Sequence, residues 1–146
     1  MLVEEMSSTL GDRIVAPLRR SFLLLEPFSV LRQTVASVAS SLGIARIHQA
    51  VTLKSALQQV ERMRFDGLVL AIGDERAEIE LIRRLRAGQT ESMPSIPVAV
   101  MTSECDAGMV LVLRELQVSR ILLKPFKVKS ILETVSQMVQ STPLPR

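Results

Sequence analysis

Apolar residues along this chain alternate between two arrangements, short unbroken runs and longer stretches where they recur every three or four positions. Strands are predicted on this pattern at residues 22–25, 45–49, 68–72, 96–101 and 119–123. A run this short and apolar on both faces reads as a strand of a parallel sheet covered by helices on each side. Residues 68–72 (Leu-Val-Leu-Ala-Ile), set between the glycines Gly67 and Gly73, are the most uniform and predict the central strand. The run at 45–49 is weak and belongs nearer an edge, with His48 on the surface.

The intervening stretches carry helical spacing. Ser29 is placed to cap a first helix whose inner face is Val30, Leu31, Val35, Val38 and Leu42, and Gly43 ends it in a left-handed C-cap. Thr52 caps a second helix reaching Met63, with Leu53, Ala56, Leu57 and Val60 inward. Residues 74–87 predict a third helix, acidic in its first turn and arginine-rich in its last, as the helix dipole prefers. Ile79, Ile82 and Leu85 form its buried face, and Arg83, Arg84 and Arg86 a solvated one. A fourth helix covers 106–116. A fifth covers 128–140, with Val128, Ile131, Leu132, Val135, Met138 and Val139 in phase.

Strict alternation of strand and helix is the pattern of a doubly wound α/β domain. Right-handed crossovers favour the flavodoxin-like (βα)5 arrangement, a parallel sheet in the order 2-1-3-4-5. The domain covers 21–141, with an N-terminal extension at 1–20 and a short tail at 142–146. The extension mixes Leu2, Val3, Met6, Leu10, Ile14, Val15 and Leu18 with charges, so it docks either on the domain or on a partner. In such sheets a ligand site lies beyond the carboxyl ends of the strands, here near Ala71, Ile72 and Gly73.

Composition narrows the chemistry. A length of 146 residues suits one domain with a single core. A net charge of +3 without a basic stripe gives no reason to expect nucleic acid, and the apolar fourth helix makes a poor recognition helix. One cysteine, Cys105, excludes an internal disulfide and a Cys-rich zinc site. One histidine argues against histidine catalysis or a histidine metal site. No apolar stretch is long enough to span a membrane. Arg19-Arg20 followed by an apolar run looks like a secretory leader, but Glu26-Pro27 interrupts it too early, so a cytoplasmic location is expected.

Three segments resemble the receiver domains of bacterial response regulators. Phe22-Leu23-Leu24-Leu25-Glu26-Pro27-Phe28-Ser29 is similar to the first strand and its terminal acidic pair. Val98-Ala99-Val100-Met101-Thr102-Ser103 is similar to the fourth strand with its hydroxyl residue. Ile121-Leu122-Leu123-Lys124-Pro125-Phe126 is similar to the fifth strand and its Lys-Pro-Phe ending, where the Lys-Pro bond is commonly cis. The resemblance runs from about Ser21 to Gln140. It implies a two-component (phosphorelay) signalling domain: a phosphoacceptor aspartate ending the third strand, an acidic pair holding Mg²⁺, a Thr and a Lys on the phosphoryl oxygens, and a switch aromatic on strand five.

Carried over residue by residue, most of that set is missing. The acceptor position falls on Ala71, the acidic pair is Glu26 and Pro27, and the switch position is Ile121. Only Thr102 and Lys124 match. Glu26 alone should hold Mg²⁺ weakly or not at all, and no other cofactor is expected. Lys124, without its usual ligand, either pairs with Glu26 or stays solvated while its Lys-Pro turn shapes the loop. Thr102 is expected to satisfy local backbone groups, and Cys105 to be an inert thiol.

Residues 109–113 (Met-Val-Leu-Val-Leu) are apolar for more than a turn of the fourth helix, so some must face outward, Val110 and Leu111 foremost. In receivers the face of helix four, strand five and helix five is the usual dimer or partner surface. Met109, Val110, Leu111 and Leu113 are its candidates here. The expected function is therefore that of a non-enzymatic, unphosphorylated pseudo-receiver acting by protein contact, through a partner or as a homodimer. Two alternatives remain: a residual phosphoacceptor using a displaced acid, Asp74 or Glu75, and a small-ligand site around Gly73, Thr102 and Lys124.

Overall fold

Five parallel strands and five helices alternate through residues 20–141, the part of the chain that the computed structural model describes. The extension, apart from Arg20, and the tail at 142–146 lie outside the described residues. The strands are β1 (Ser21–Leu25), β2 (Arg46–Ala50), β3 (Gly67–Ile72), β4 (Val98–Thr102) and β5 (Arg120–Leu123). The helices are α1 (Ser29–Ser41), α2 (Leu53–Arg62), α3 (Ile79–Arg86), α4 (Ala107–Glu115) and α5 (Val128–Ser141). The sheet order is β2-β1-β3-β4-β5, the flavodoxin-like arrangement expected.

Every residue of β3 is buried, and its side chains divide between two cores. Leu68, Leu70 and Ile72 pack with Ala56 and Val60 of α2, Leu81, Ile82 and Leu85 of α3, and Met109 and Leu113 of α4. Val69 and Ala71 point the other way, into a core with Val35 of α1 and Ile131, Val135 and Met138 of α5. This is the period-2 alternation of a strand covered on both sides. β2, at the edge, is mostly exposed or half-buried.

Two helix ends follow the sequence closely. Thr52 Oγ1 accepts the Ser55 N–H at 3.1 Å. Gly43, at φ +67°, ends α1 with its N–H on the Ser40 carbonyl at 3.1 Å, and the Ile44 N–H reaches the Ala39 carbonyl at 2.9 Å. That paired arrangement is a Schellman motif, and only the left-handed residue makes it possible.

Other boundaries differ from expectation. Ser29 is the first residue of α1 and not its cap. Phe28 holds the cap position without a side-chain bond, and its N–H goes to Glu26 Oε2 at 2.9 Å. The third helix starts at Ile79, because residues 74–78 form a loop in which Arg76 takes a left-handed φ of 59° and donates its N–H to the Gly73 carbonyl. Glu78 turns back to accept the Gly73 N–H at 3.0 Å. Gly67, which flanks the apolar run, opens β3 opposite Phe22, whose ring occupies the space a Cβ would need.

His48 is half-buried, edge-on to Phe65 with ring centroids 5.5 Å apart, instead of standing free on the surface. Desolvation first, then the nearby Arg46, hold its pKa below the ordinary imidazole value. Arg86 also departs from the solvated face proposed for it. Its guanidinium donates to the carbonyls of Pro94 and Ile96, each at 2.7 Å, of Leu116 at 2.8 Å and of Gln117 at 3.3 Å. One side chain thus ties the end of α3 to the end of α4 and to the approach to β4. Charge-assisted hydrogen bonds are the stronger kind, so Arg86→Met should lower the unfolding free energy by about 2–3 kcal/mol in denaturant titration. Arg83→Met, at an exposed position, should stay within about 0.5 kcal/mol of the parent.

Candidate functional site

The parallel sheet brings the carboxyl ends of β1, β3, β4 and β5 to one pole, and with them Glu26, Ala71, Thr102 and Lys124. Register fixes their relation. Ala71 pairs with Met101, Ile72 with Thr102, and Thr102 with Leu123, the residue before Lys124. The four residues singled out from the sequence therefore share one end of the sheet. Ala71, at the place where a receiver carries its acceptor, is 7% exposed and offers only a methyl group.

Glu26 is the buried polar centre of this pole, its side chain 2% exposed. Oε2 is held by the Phe28 N–H, and Oε1 lies 3.4 Å from Lys124 Nζ. The second contact is an ion pair without hydrogen-bond alignment, which leaves Oε1 without a hydrogen bond among the described residues. Of the two readings left open for Lys124, the structure realises the pairing with Glu26. The Lys124-Pro125 bond is cis. Thr102 Oγ1 donates to the Glu104 carbonyl at 2.8 Å and accepts the Glu104 N–H at 3.4 Å. Its hydroxyl is satisfied within its own loop.

Ala71 and Pro27 bring no carboxylate to this pole beside that of Glu26. An acyl phosphate needs a carboxylate where Ala71 stands. Mg²⁺ takes one or two carboxylates together with phosphate oxygens and waters, whereas Pro27 offers none and both Glu26 oxygens face cationic or N–H groups of the protein. Among the described residues, no group of three or more His, Cys, Asp or Glu side chains is placed to hold a metal. Asp74 and Glu75 are exposed in the loop after β3.

Two arginines complete the pole, and neither stood out in the sequence. Arg32, on α1 and buried, donates from Nη1 to the Glu26 carbonyl at 2.9 Å and from Nε to Gln49 Oε1 at 3.0 Å, linking the β1–α1 turn to the edge strand. Arg76 forms an exposed ion pair with Asp106 at 2.9 Å, across a cleft of about 280 Å³ lined by Ile72, Gly73, Thr102 and Glu104. Asp106 caps α4 by accepting the Met109 N–H at 2.8 Å. The Arg76 hydrogen bond first, then that N–H, hold its carboxyl below the usual range. The cap was readable from the Asp that precedes an apolar run. Its partner thirty positions earlier was not, because the left-handed turn that aims Arg76 leaves no mark on the sequence.

The candidate interaction face divides. Met109 and Leu113 are core residues, since i and i+4 share a helix face and that face meets the sheet. This removes them from the proposed contact surface. Leu111 is 58% exposed and Val110 half-buried, in keeping with their outward assignment. Ile121 is half-buried and packs against the α2–α4 core, as does the thiol-bearing Cys105.

No protein-family model and no curated protein matches the sequence. Solved structures do. The non-phosphorylated HemR receiver domain from Leptospira biflexa is 22% identical, with 88% of this chain and 99% of that chain covered and a TM-score of 0.73. A response regulator receiver domain protein (CheY-like) from Methanospirillum hungatei is 13% identical, covering 84% and 94%, with a TM-score of 0.72. A response regulator from Thermotoga maritima is 21% identical, covering 85% and 100%, with a TM-score of 0.69. The likeness is one of fold: residues 20–141 form a flavodoxin-like α/β domain that shares the CheY-like fold, with Ala71 next to the last residue of its central strand.

Proposed function

We propose that this chain is a pseudo-receiver of two-component signalling, one that works by protein–protein contact and takes no phosphoryl group. The observation that carries the reading is Ala71. Phosphoryl transfer is positioning and charge stabilisation around a nucleophile, and at this position there is none. The Glu26–Lys124 pair supports it, because the two charged groups that would address Mg²⁺ and phosphate are directed at each other. Asp74 lines the cleft beside Thr102, but it and Glu75 are exposed in the loop past the end of β3, which makes them poor substitutes for a carboxylate at position 71.

A contact function needs a surface, and the outer side of α4 with β5 and α5 is the one we assign. Leu111 and Leu123 are both large apolar residues more than half exposed, and exposed apolar groups in a contiguous patch mark contact sites. No helix among the described residues is long and apolar enough to cross a membrane, and the surface reads as protein-directed.

Intact mass after incubation with Mg²⁺ and acetyl phosphate should be unchanged; a phosphoryl-sized adduct would overturn the reading. Leu111→Glu should abolish self-association in sedimentation, or capture of a protein partner, while the circular dichroism spectrum stays that of the parent. Association equal to the parent's would exclude this face.

A further inference from the structure

A second apolar surface lies away from α4, on the other side of the sheet. It is a groove of about 590 Å³, walled by Phe28, Val30 and Leu31 at the start of α1 and by Phe126 and Val128 of the β5–α5 connection. Phe28 is 73% exposed and Val30 79%, so the wall on α1 stands open to water. Nothing in the α1 cap requires a phenylalanine there, since Phe28 contributes its backbone N–H and no side-chain bond.

Part of the lining is polar. Thr102 pairs with Leu123, so Ser103 and Lys124 stand side by side past the ends of β4 and β5, and both line the groove. Lys124 Nζ is partly exposed and meets Glu26 Oε1 at 3.4 Å without hydrogen-bond alignment. An ammonium has three N–H donors, and one unaligned contact does not use them up. The Ser103 hydroxyl brings a further donor. α5 begins at the same place with no acidic residue in its first turn, so the positive end of its dipole is not offset.

Size and charge select the occupant. The lining is far smaller than the roughly 20–30 residues that each side of a stable protein interface uses, and the volume falls in the range of small-molecule sites, about 300–1,000 Å³. A second copy is disfavoured. A two-fold contact here would set Lys124 and its exposed neighbours Lys127 and Lys129 against the same lysines of the other chain. Glu26, on the inner side of the ammonium, repels a dianion more than a monoanion. We propose that the groove binds a small amphiphilic monocarboxylate, its apolar body between Phe28, Val30 and Phe126 and its carboxylate on Lys124 Nζ and Ser103 Oγ. Glu26 keeps its bond to the Phe28 N–H while Lys124 serves both carboxylates. The site is separate from the α4 surface, and the two assignments stand or fall independently.

Titration of the full ¹⁵N-labelled chain with octanoate and decanoate, followed by amide shifts, tests it. The Thr34, Lys124, Phe126 and Val128 amides should move and saturate, while those of α3 and α4 stay in place. Each buried methylene is worth up to about fourfold in affinity, so decanoate should bind roughly tenfold tighter than octanoate. Octanol, which lacks the charge, should bind about tenfold weaker than octanoate, and acetate at the same concentration should leave the spectrum unchanged. Val30→Glu, at an exposed position, should abolish the saturable shifts with the remaining spectrum that of the parent. Absence of saturable movement at these amides would overturn the proposal. So would equal affinity for octanol and octanoate, shifts with acetate equal to those with octanoate, or octanoate binding indifferent to Val30→Glu. Shifts at the same amides that follow protein concentration without added acid would also overturn it, assigning the groove to a second copy.

Discussion

A central strand without a single polar side chain constrains everything else in this molecule. β3 offers water nothing on either face, so each face must be covered, and a parallel strand obtains its cover from the helices that connect it to its neighbours. Two helices take one side and three the other. The same arrangement collects the carboxyl ends of the strands at one pole, where a polar group can approach the sheet without entering a core. Glu26 sits there at the limit of what burial tolerates. Its carboxylate is out of water, and an N–H on one oxygen and an ammonium near the other compensate it.

Much of this was legible in the residues. Strand and helix alternate with clear periods, Thr52 and Gly43 punctuate where capping chemistry requires, and the resemblance to receivers groups Glu26, Ala71, Thr102 and Lys124 at the strand ends. What escaped was phase and aim. In residues 109–113 every position is apolar, so the pattern holds no information about which ones turn inward; the cap at Asp106 sets that phase and directs Met109 and Leu113 to the sheet. In residues 74–78 acids ahead of an apolar period look alike whether they open a helix or precede it. The three arginines of α3 are equivalent in sequence, yet only Arg86 faces four carbonyls from segments up to thirty-one positions away.

On the function proposed above, the pole of the sheet keeps the fold without the chemistry that receivers carry there. The positions that shape the receiver pole are filled: the strand ends are in register, the cis Lys124-Pro125 turn is present, and Arg32 braces the first turn. Position 71 carries alanine, and the polar groups around it are turned to the protein's own atoms. Thr102 bonds to its own loop, Lys124 faces Glu26, and Arg76 reaches past the cleft to the cap of α4. Each contact is modest, an exposed pair such as Arg76–Asp106 especially so. Together they leave few polar groups at this pole in want of an incoming ligand.

The Glu26–Lys124 pair has a consequence for how such a domain would carry information. A receiver with an acceptor divides its population between two states, and a phosphoryl group moves the balance. On the function proposed here there is no such ligand to separate the states by differential affinity, so occupancy of a partner follows only the abundance of the chain relative to its dissociation constant. Control then passes from chemistry on the folded protein to its synthesis and turnover. The signal becomes a copy number.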